Sequence, residues 1–341
     1  MSNDIKSRKS SNASAAAFGW DFQSNAGIVL MLHNLDRAKS VRIEGVEDVE
    51  IHLESGKRIY AQAKGVRNPD DTSHVIDKLE SAIRTLTEAA RHGNVESLVY
   101  VTNSPNPFND KATSYRFAGA EADVPYVSLP QSCKDQLLKI CDNCGYDLPV
   151  EKFSIRTFDF SGDGENRYRI VKTLVVEFLS SLGLSERGWG QKVLDRWHDE
   201  FWKNASQSDR KIVITKKKMV WPLVVWLCED IKSKIEIKDI DELEIEDVTR
   251  RFRNIISDKE DKFEFVAKVT CAFHLFRKGT ALRYRDALNA FIADSWQKFL
   301  GEFCLEGVDR RTAKIIVSVA LERIIRTQAD IERIKESVNL C

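Results

Sequence analysis

The stretch EGVEDVEIHLESGKRIYAQAK, residues 44–64, constrains the fold more than any other part of the chain. Apolar residues alternate with polar ones through Val49, Ile51 and Leu53, and again through Ile59, Ala61 and Ala63. Side chains along a strand point to opposite faces in turn, so each run predicts a half-buried strand. Ser55-Gly56 between the two runs predicts a tight hairpin turn. With Ile59, Ala61 and Ala63 facing a core, Tyr60, Gln62 and Lys64 stand together on the opposite face. The first strand opens at Asp48, so pairing brings a carboxylate to an amide and an amine. Such a set suits phosphodiester cleavage with a hard divalent ion. Oxygen ligands hold the ion. The ion acidifies a bound water and offsets charge growing on the phosphate. A lysine ammonium orients the water or holds the phosphate as a compact cation.

The surrounding pattern places this hairpin inside a mixed unit. Residues 1–15, rich in Ser, Asn and Lys, predict a disordered arm. Trp20–Arg37 is too apolar for a surface helix and predicts one buried against a sheet. Val41–Ile43 starts a short strand ahead of the hairpin. After the turn Asn68-Pro69-Asp70-Asp71, a helix is predicted over about Ser73–Arg91, with Ile76, Leu79, Ile83, Leu86 and Ala90 as its stripe and Gly93 as its stop. Leu98–Val101 predicts a buried strand. The order is helix, three strands, helix, strand, an αβββαβ core. Further strands are expected at 124–129 and 153–160, with a helix over about Ser132–Cys141 between them. Ser161-Gly-Asp-Gly164 is the expected domain boundary. Beyond it the period changes to that of helices, the last two near Leu282–Leu300 and Arg311–Ser337. The expected organisation is therefore an α/β domain over 16–160 and an all-α domain over 161–341.

The spacing Asp48-x13-Gln62-x-Lys64 resembles the PD-(D/E)xK nuclease pattern in its D…QxK form, as in Mrr-type restriction endonucleases. Phe22-Gln23, the run Glu44-Gly45-x-Glu47-Asp48, and Leu98–Asn103 extend the resemblance to the double-stranded DNA endonuclease domain of bacterial antiphage effectors, both CD-NTase-associated and Lamassu-type. The resemblance implies a restriction-endonuclease-like fold for the first 160 or so residues. It implies that Asp48, Gln62 and the main-chain carbonyl of Ala63 hold Mg2+ or Mn2+, and that Lys64 positions water and phosphate. Gln23 is expected to point into the site, with Glu44 a secondary member and Glu47 ambiguous. Gln62 in place of a second acid implies weak metal binding. The helical half is too short and too helical for the nucleotide-sensing domain of the CD-NTase-associated relatives. By analogy it fits a Lamassu-type nuclease subunit docked on an SMC-like ATPase assembly, inactive until released or self-associated. The tryptophans of the helical half are candidate contact residues or candidate core residues.

Composition narrows the classes. Lys plus Arg and Asp plus Glu number 52 each, so any nucleic-acid surface must be local. The densest basic runs are Lys216–Lys218 and Arg250-Arg251-x-Arg253. Seven cysteines without regular spacing do not make a secreted disulfide framework. Cys141-x-x-Cys144, with Cys133 upstream, lacks the fourth ligand of a structural zinc site. His52 shares strand parity with Asp48. No Walker A motif, signal peptide or membrane span is present, and a cytoplasmic protein is expected. The rival readings are a catalytically inert DNA-binding or scaffolding subunit, and a nuclease acting on RNA or single strands.

Overall fold

The computed structural model describes residues 13–209, 211–233, 235–237 and 239–340. The chain divides into two compact units, Met1–Lys216 and Lys217–Cys341. Most of the expected arm lies outside the described residues, but Ala13–Ala15 already belong to the first helix.

The first unit opens with α1 (Ala13–His33), followed by β1 (Ala38–Ile43), β2 (Val49–Leu53), β3 (Arg58–Ala63), α2 (Val75–Ala90) and β4 (Val95–Thr102). The expected order of helix, three strands, helix, strand is thus present. β5 (Glu121–Pro125), α3 (Gln131–Cys144) and β6 (Phe153–Phe158) follow. The strand expected at 124–129 ends at Pro125 and passes into a short 3-10 turn at Tyr126–Ser128. Proline lacks the N–H that a ladder needs and is confined to strand ends and edges. α4 (Arg169–Ser181), α5 (Gly190–Ala205) and β7 (Ile214–Thr215) complete the unit.

The described strands form one mixed sheet in the order β5-β6-β4-β3-β2-β1-β7. β1, β2 and β3 run antiparallel, with Val49 opposite Ala61 and Glu50 opposite Tyr60. β3 and β4 are parallel, joined across α2, and β4 and β6 are parallel. On one face Tyr60, Leu98 and Tyr100 pack with Leu79, Ile83 and Leu86 of α2 and with Leu137 of α3. The other face meets α1, which is buried on every side from Phe22 to Met31.

The compact units part after Lys216, not at 161–164 where the sequence period changes. A helix that is apolar all round needs cover on all sides. The sheet covers one side of α1, and α4 and α5 pack against α1 as well. Asn204 of α5 accepts from the Ile43 amide at 2.9 Å, and β7 adds to the edge of β1. The helical part of the sequence therefore supplies two helices and one short strand to the α/β unit.

The second unit contains the remainder of α6 (Lys216–Asp230), then α7 (Glu242–Arg251), α8 (Arg253–Glu260), α9 (Phe263–Lys278), α10 (Tyr284–Leu300), α11 (Arg310–Arg326) and α12 (Gln328–Ser337). α11 is its axis: every residue from Ile315 to Ile325 is buried. The single long helix expected near the C-terminus breaks at Thr327, whose hydroxyl bonds back to the Arg323 carbonyl at 2.8 Å. Back-bonding of this kind bends helices. Trp189, Trp197, Trp221 and Trp296 are buried, so these fill the cores; Trp202 is 60% exposed.

One glycine is held by close packing. A Cβ on Gly65 would stand 2.7 Å from Phe22 Cγ and 3.0 Å from Phe18 Cε1. Phe22 cannot withdraw, since it stacks on Phe158 at 5.1 Å and meets Phe160 edge-on at 5.4 Å. Overpacking of this kind costs roughly 1–3 kcal/mol. Gly65→Ala is therefore expected to destabilise the protein by about that amount in urea melts, and an unchanged midpoint would show that the aromatic cluster yields.

Candidate active site

β3 delivers its last residues to a point clamped from both neighbours. On the β4 side the Lys64 amide donates to the Val101 carbonyl at 2.9 Å, and the Thr102 hydroxyl donates to the Lys64 carbonyl at 2.9 Å. The Asn103 side chain receives the Val66 amide and donates to the Val66 carbonyl, both at 2.7 Å, and donates to the Phe160 carbonyl at 2.9 Å. The Lys64–Val66 backbone is thereby tied down. On the β2 side the Ala63 amide donates to Asp48 Oδ2 at 2.9 Å. N–H and C=O of one strand residue project to the same edge, so the Ala63 carbonyl also points toward the Asp48 side.

The connection from β1 to β2 holds the acids. Glu44 adopts a left-handed φ of 56°, and its amide bonds to the Asp48 carbonyl at 3.0 Å. Gln23 reaches across from α1: its Nε2 donates to Glu44 Oε1 at 2.8 Å and to the Asp48 carbonyl at 3.1 Å. Glu50 steadies the same connection, because its carboxylate accepts from the Val46 backbone as well as from His52 at 2.9 Å and Arg58 at 3.0 Å. His52 thus serves Glu50 rather than Asp48.

Gln23, Glu44, Asp48, Ala63 and Lys64 all line one open cleft of about 510 Å³. The hairpin pairing brings Asp48 to Ala63 and Lys64, and Gln23 arrives separately from α1. Gln62 sits behind Asp48, and its Nε2 donates to Asp48 Oδ2. Its carbonyl oxygen is turned away and accepts from the Thr85 hydroxyl of α2 at 2.8 Å. A half-turn of the amide exchanges the two ends.

Two features of the site were not legible in the hairpin alone. Glu47 is 7% exposed and hydrogen-bonded to Thr85. Burial first, and the neighbouring Asp48 charge second, push its carboxyl up to about 8. Burial likewise pushes Asp48 up to about 6, against the Lys64 charge and the Ala63 amide, which favour the carboxylate. Thr85 is the second feature; it lies beside the apolar stripe of α2 and faces Gln62 and Glu47. Only the packing of α2 on β3 brings it there.

Asp48 and the Ala63 carbonyl are the hard oxygen donors at the cleft, and the Gln62 oxygen would join them only after its amide turns, while Glu47 lies behind with Thr85. Among the described residues no group of three His, Cys, Asp or Glu side chains is gathered to hold a metal. One or two carboxylates with vacant positions for water and phosphate suit Mg2+ rather than a caged ion. Two acids whose charged forms are disfavoured are what an added cation would relieve. The cysteines are placed otherwise. Cys133 and Cys141 are buried, Cys133 beside Thr113, while exposed Cys144 is turned to Glu80 at 3.5 Å. The basic runs are matched by acids: Lys216 by Glu54, Lys217 by Glu264, Arg250 and Arg251 by Asp247, and Arg253 by Glu229. No described helix is long and apolar enough to cross a membrane.

No family model and no curated protein matches the chain. Among solved structures it is similar to the Moraxella osloensis Cap4 SAVED/CARF-domain containing receptor, at 16% identity and a TM-score of 0.38, over 75% of this chain and 60% of that one. The chain thus spans less than two thirds of that receptor, and a superposition this loose fixes neither fold nor site.

Both acid shifts are upward, so the folded, metal-free protein holds more protons than the unfolded chain between the ordinary carboxylate range and about pH 8. Stability is then greatest at the acid end of that window and falls as pH rises through it. Glu47→Gln removes the larger of the two ionisations while keeping a partner for Thr85. In thermal melts with EDTA, this variant is expected to lose less Tm than the wild type between about pH 5 and pH 8. Parallel Tm profiles would show that Glu47 ionises freely.

Proposed function

We propose that this protein is a metal-dependent endonuclease that cuts double-stranded DNA. The observation that carries the reading is the meeting of Asp48, the Ala63 backbone, Lys64, Gln23 and Glu44 in one cleft, with Gln62 directly behind Asp48. Mg2+ or Mn2+ is the implied ion, and when bound it supplies a more acidic water and charge compensation at the phosphate. Asp48 and the Ala63 carbonyl would hold it, with Gln62 joining after its amide turns. Lys64 holds the scissile phosphate and orients the attacking water. Its clamped backbone fixes the point from which the ammonium reaches the cleft. Water adds to phosphorus and gives up one proton, one P–O ester bond breaks, and the departing oxygen takes up one proton, so the protons balance.

The sequence resemblance supports placing this activity in antiphage defence, as an effector subunit held inactive until infection. The partners proposed on that ground are duplex DNA and an SMC-like ATPase or other sensor assembly docked through the helical unit. Self-association on activation would supply two sites for two strands. Exposed Trp202, on α5 of the first unit and edge-on to Trp20 at 5.3 Å, is a better contact candidate than the buried tryptophans and would extend the docking surface beyond the helical unit.

A second reading has its own observation. Gln62 and the Ala63 amide both donate to Asp48, which satisfies that carboxylate without a cation. An inert DNA-binding or scaffolding subunit would keep this arrangement. Plasmid nicking in Mg2+, in Mn2+ and in EDTA separates the two, with RNA and single strands as alternative substrates.

Lys64→Ala is expected to lower the nicking rate by roughly 10²- to 10³-fold, the usual cost of removing one preorganised group at developing charge. Its folding stability is expected to stay within about ±0.5 kcal/mol, as for surface changes that remove little apolar contact. Asp48→Ala should be equally inactive but partly recovered by high Mg2+, whereas Lys64→Ala should not be. Wild-type nicking by Lys64→Ala would remove Lys64 from the chemistry and with it this assignment.

A further inference from the structure

Three cations border the cleft, Lys64, Arg67 and Lys78, and among the described residues no carboxylate lies within ion-pair distance of any of them. This is unusual for the chain, whose densest basic runs are matched by acids. Lys78 of α2 is half-buried and aimed inward, its ammonium donating to the Gly65 carbonyl at 2.7 Å. Arg67 is exposed and donates to the Ser14 hydroxyl.

A second cavity of about 600 Å³ adjoins the first and shares Phe18 and Arg67 with it. Arg167 in that cavity is paired with Asp21 at 3.3 Å and Asp163 at 3.2 Å, whereas Arg67, at the junction, has no carboxylate within ion-pair distance among the described residues. The first turns of α1 line the same cleft beside Arg67, which donates to the Ser14 hydroxyl. There Ser14, Ala15, Ala16 and Ala17 are exposed, in contrast to the continuously buried residues after Asp21. A Cβ added at Gly19 would meet nothing within 4 Å. A helix face that is solvent-exposed, uncharged and short of side chains lets a bulky backbone come close.

We propose that Arg67 and Lys78 are phosphate-holding residues flanking Lys64, and that the two cavities form one track for a nucleic-acid backbone along the alanine wall of α1. This inference rests on the nuclease reading. It adds the direction of the track: from Lys78 past the scissile position to Arg67, and on into the second cavity. A regularly spaced polyanion fits cations without acid partners beside helix turns that carry only short, uncharged side chains. Each phosphate neutralised releases condensed counterions, so contacts can be counted from salt dependence.

The test is fluorescence anisotropy of the full-length protein with a labelled DNA duplex in EDTA, repeated over a salt series, beside a plasmid nicking assay in Mg2+. Arg67→Ala and Lys78→Ala are each expected to reduce the slope of log K against log salt by about 0.9, the value for one phosphate contact on a duplex. Ala16→Glu should weaken binding by placing bulk and negative charge on the wall. Lys78→Gln guards against a folding effect from losing the Gly65 contact, and Tm is measured for all variants. Wild-type slopes in both charge variants, with wild-type nicking intact, would overturn the track and leave the nuclease reading standing. A wild-type protein that neither binds nor cuts nucleic acid would overturn both.

Discussion

The all-round burial of α1 is the constraint on which the first unit depends. From Phe22 to Met31 the helix has no solvent face. The sheet covers one side; α4 and α5 pack against the helix as well. Burial of apolar surface at roughly 25 cal/mol per Å² makes an uncovered side of such a helix costly. The same helix sets the candidate site. Gln23 reaches Glu44 and the Asp48 carbonyl from a position that packing leaves no room to shift. Phe22 presses on Gly65, one residue beyond Lys64. Its first turns, where the burial stops, border the cleft.

The site is organised by backbone contacts before any charge is considered. β3 ends between Asp48 on one side and Thr102 and Asn103 on the other. These bonds hold the Lys64 backbone in one arrangement, the kind of second layer that preorganised sites need. Charge is then left unbalanced. Burial disfavours ionisation of Glu47 and Asp48, while three cations on the cleft rim have no acid within ion-pair distance among the described residues.

The second unit is built differently. α11 is buried along its length, and it carries Arg323 to within 3.6 Å of Glu260, both deeply buried. The Glu260 carboxylate and two Arg323 nitrogens find no hydrogen-bond partner among the described residues. Burial pushes the Glu260 carboxyl up to about 7 against the attraction of Arg323. Desolvation of such a pair can exceed its Coulombic gain, and removing one partner strands the other.

Local periodicity carried much of this fold in the sequence itself. The period-2 runs around Ser55-Gly56 determined the hairpin, and with it the approach of Asp48 to Gln62, Ala63 and Lys64. The stripe from Leu79 to Leu86 determined α2, and the apolar run at Leu98 determined β4. Each of these is set by neighbours a few residues apart, where side-chain alternation leaves little choice. The division of the chain was not local. The change of period at 161–164 marks where helices begin, but the compact unit ends at Lys216 because α1 needs cover that only later helices provide. Nor was the turn of Gln62 toward Thr85, the burial of Glu47, or the gathering of Arg67 and Lys78 beside the alanine turns of α1. Those residues lie on separate elements, and only the packing of α1 and α2 against the sheet brings them to one cleft.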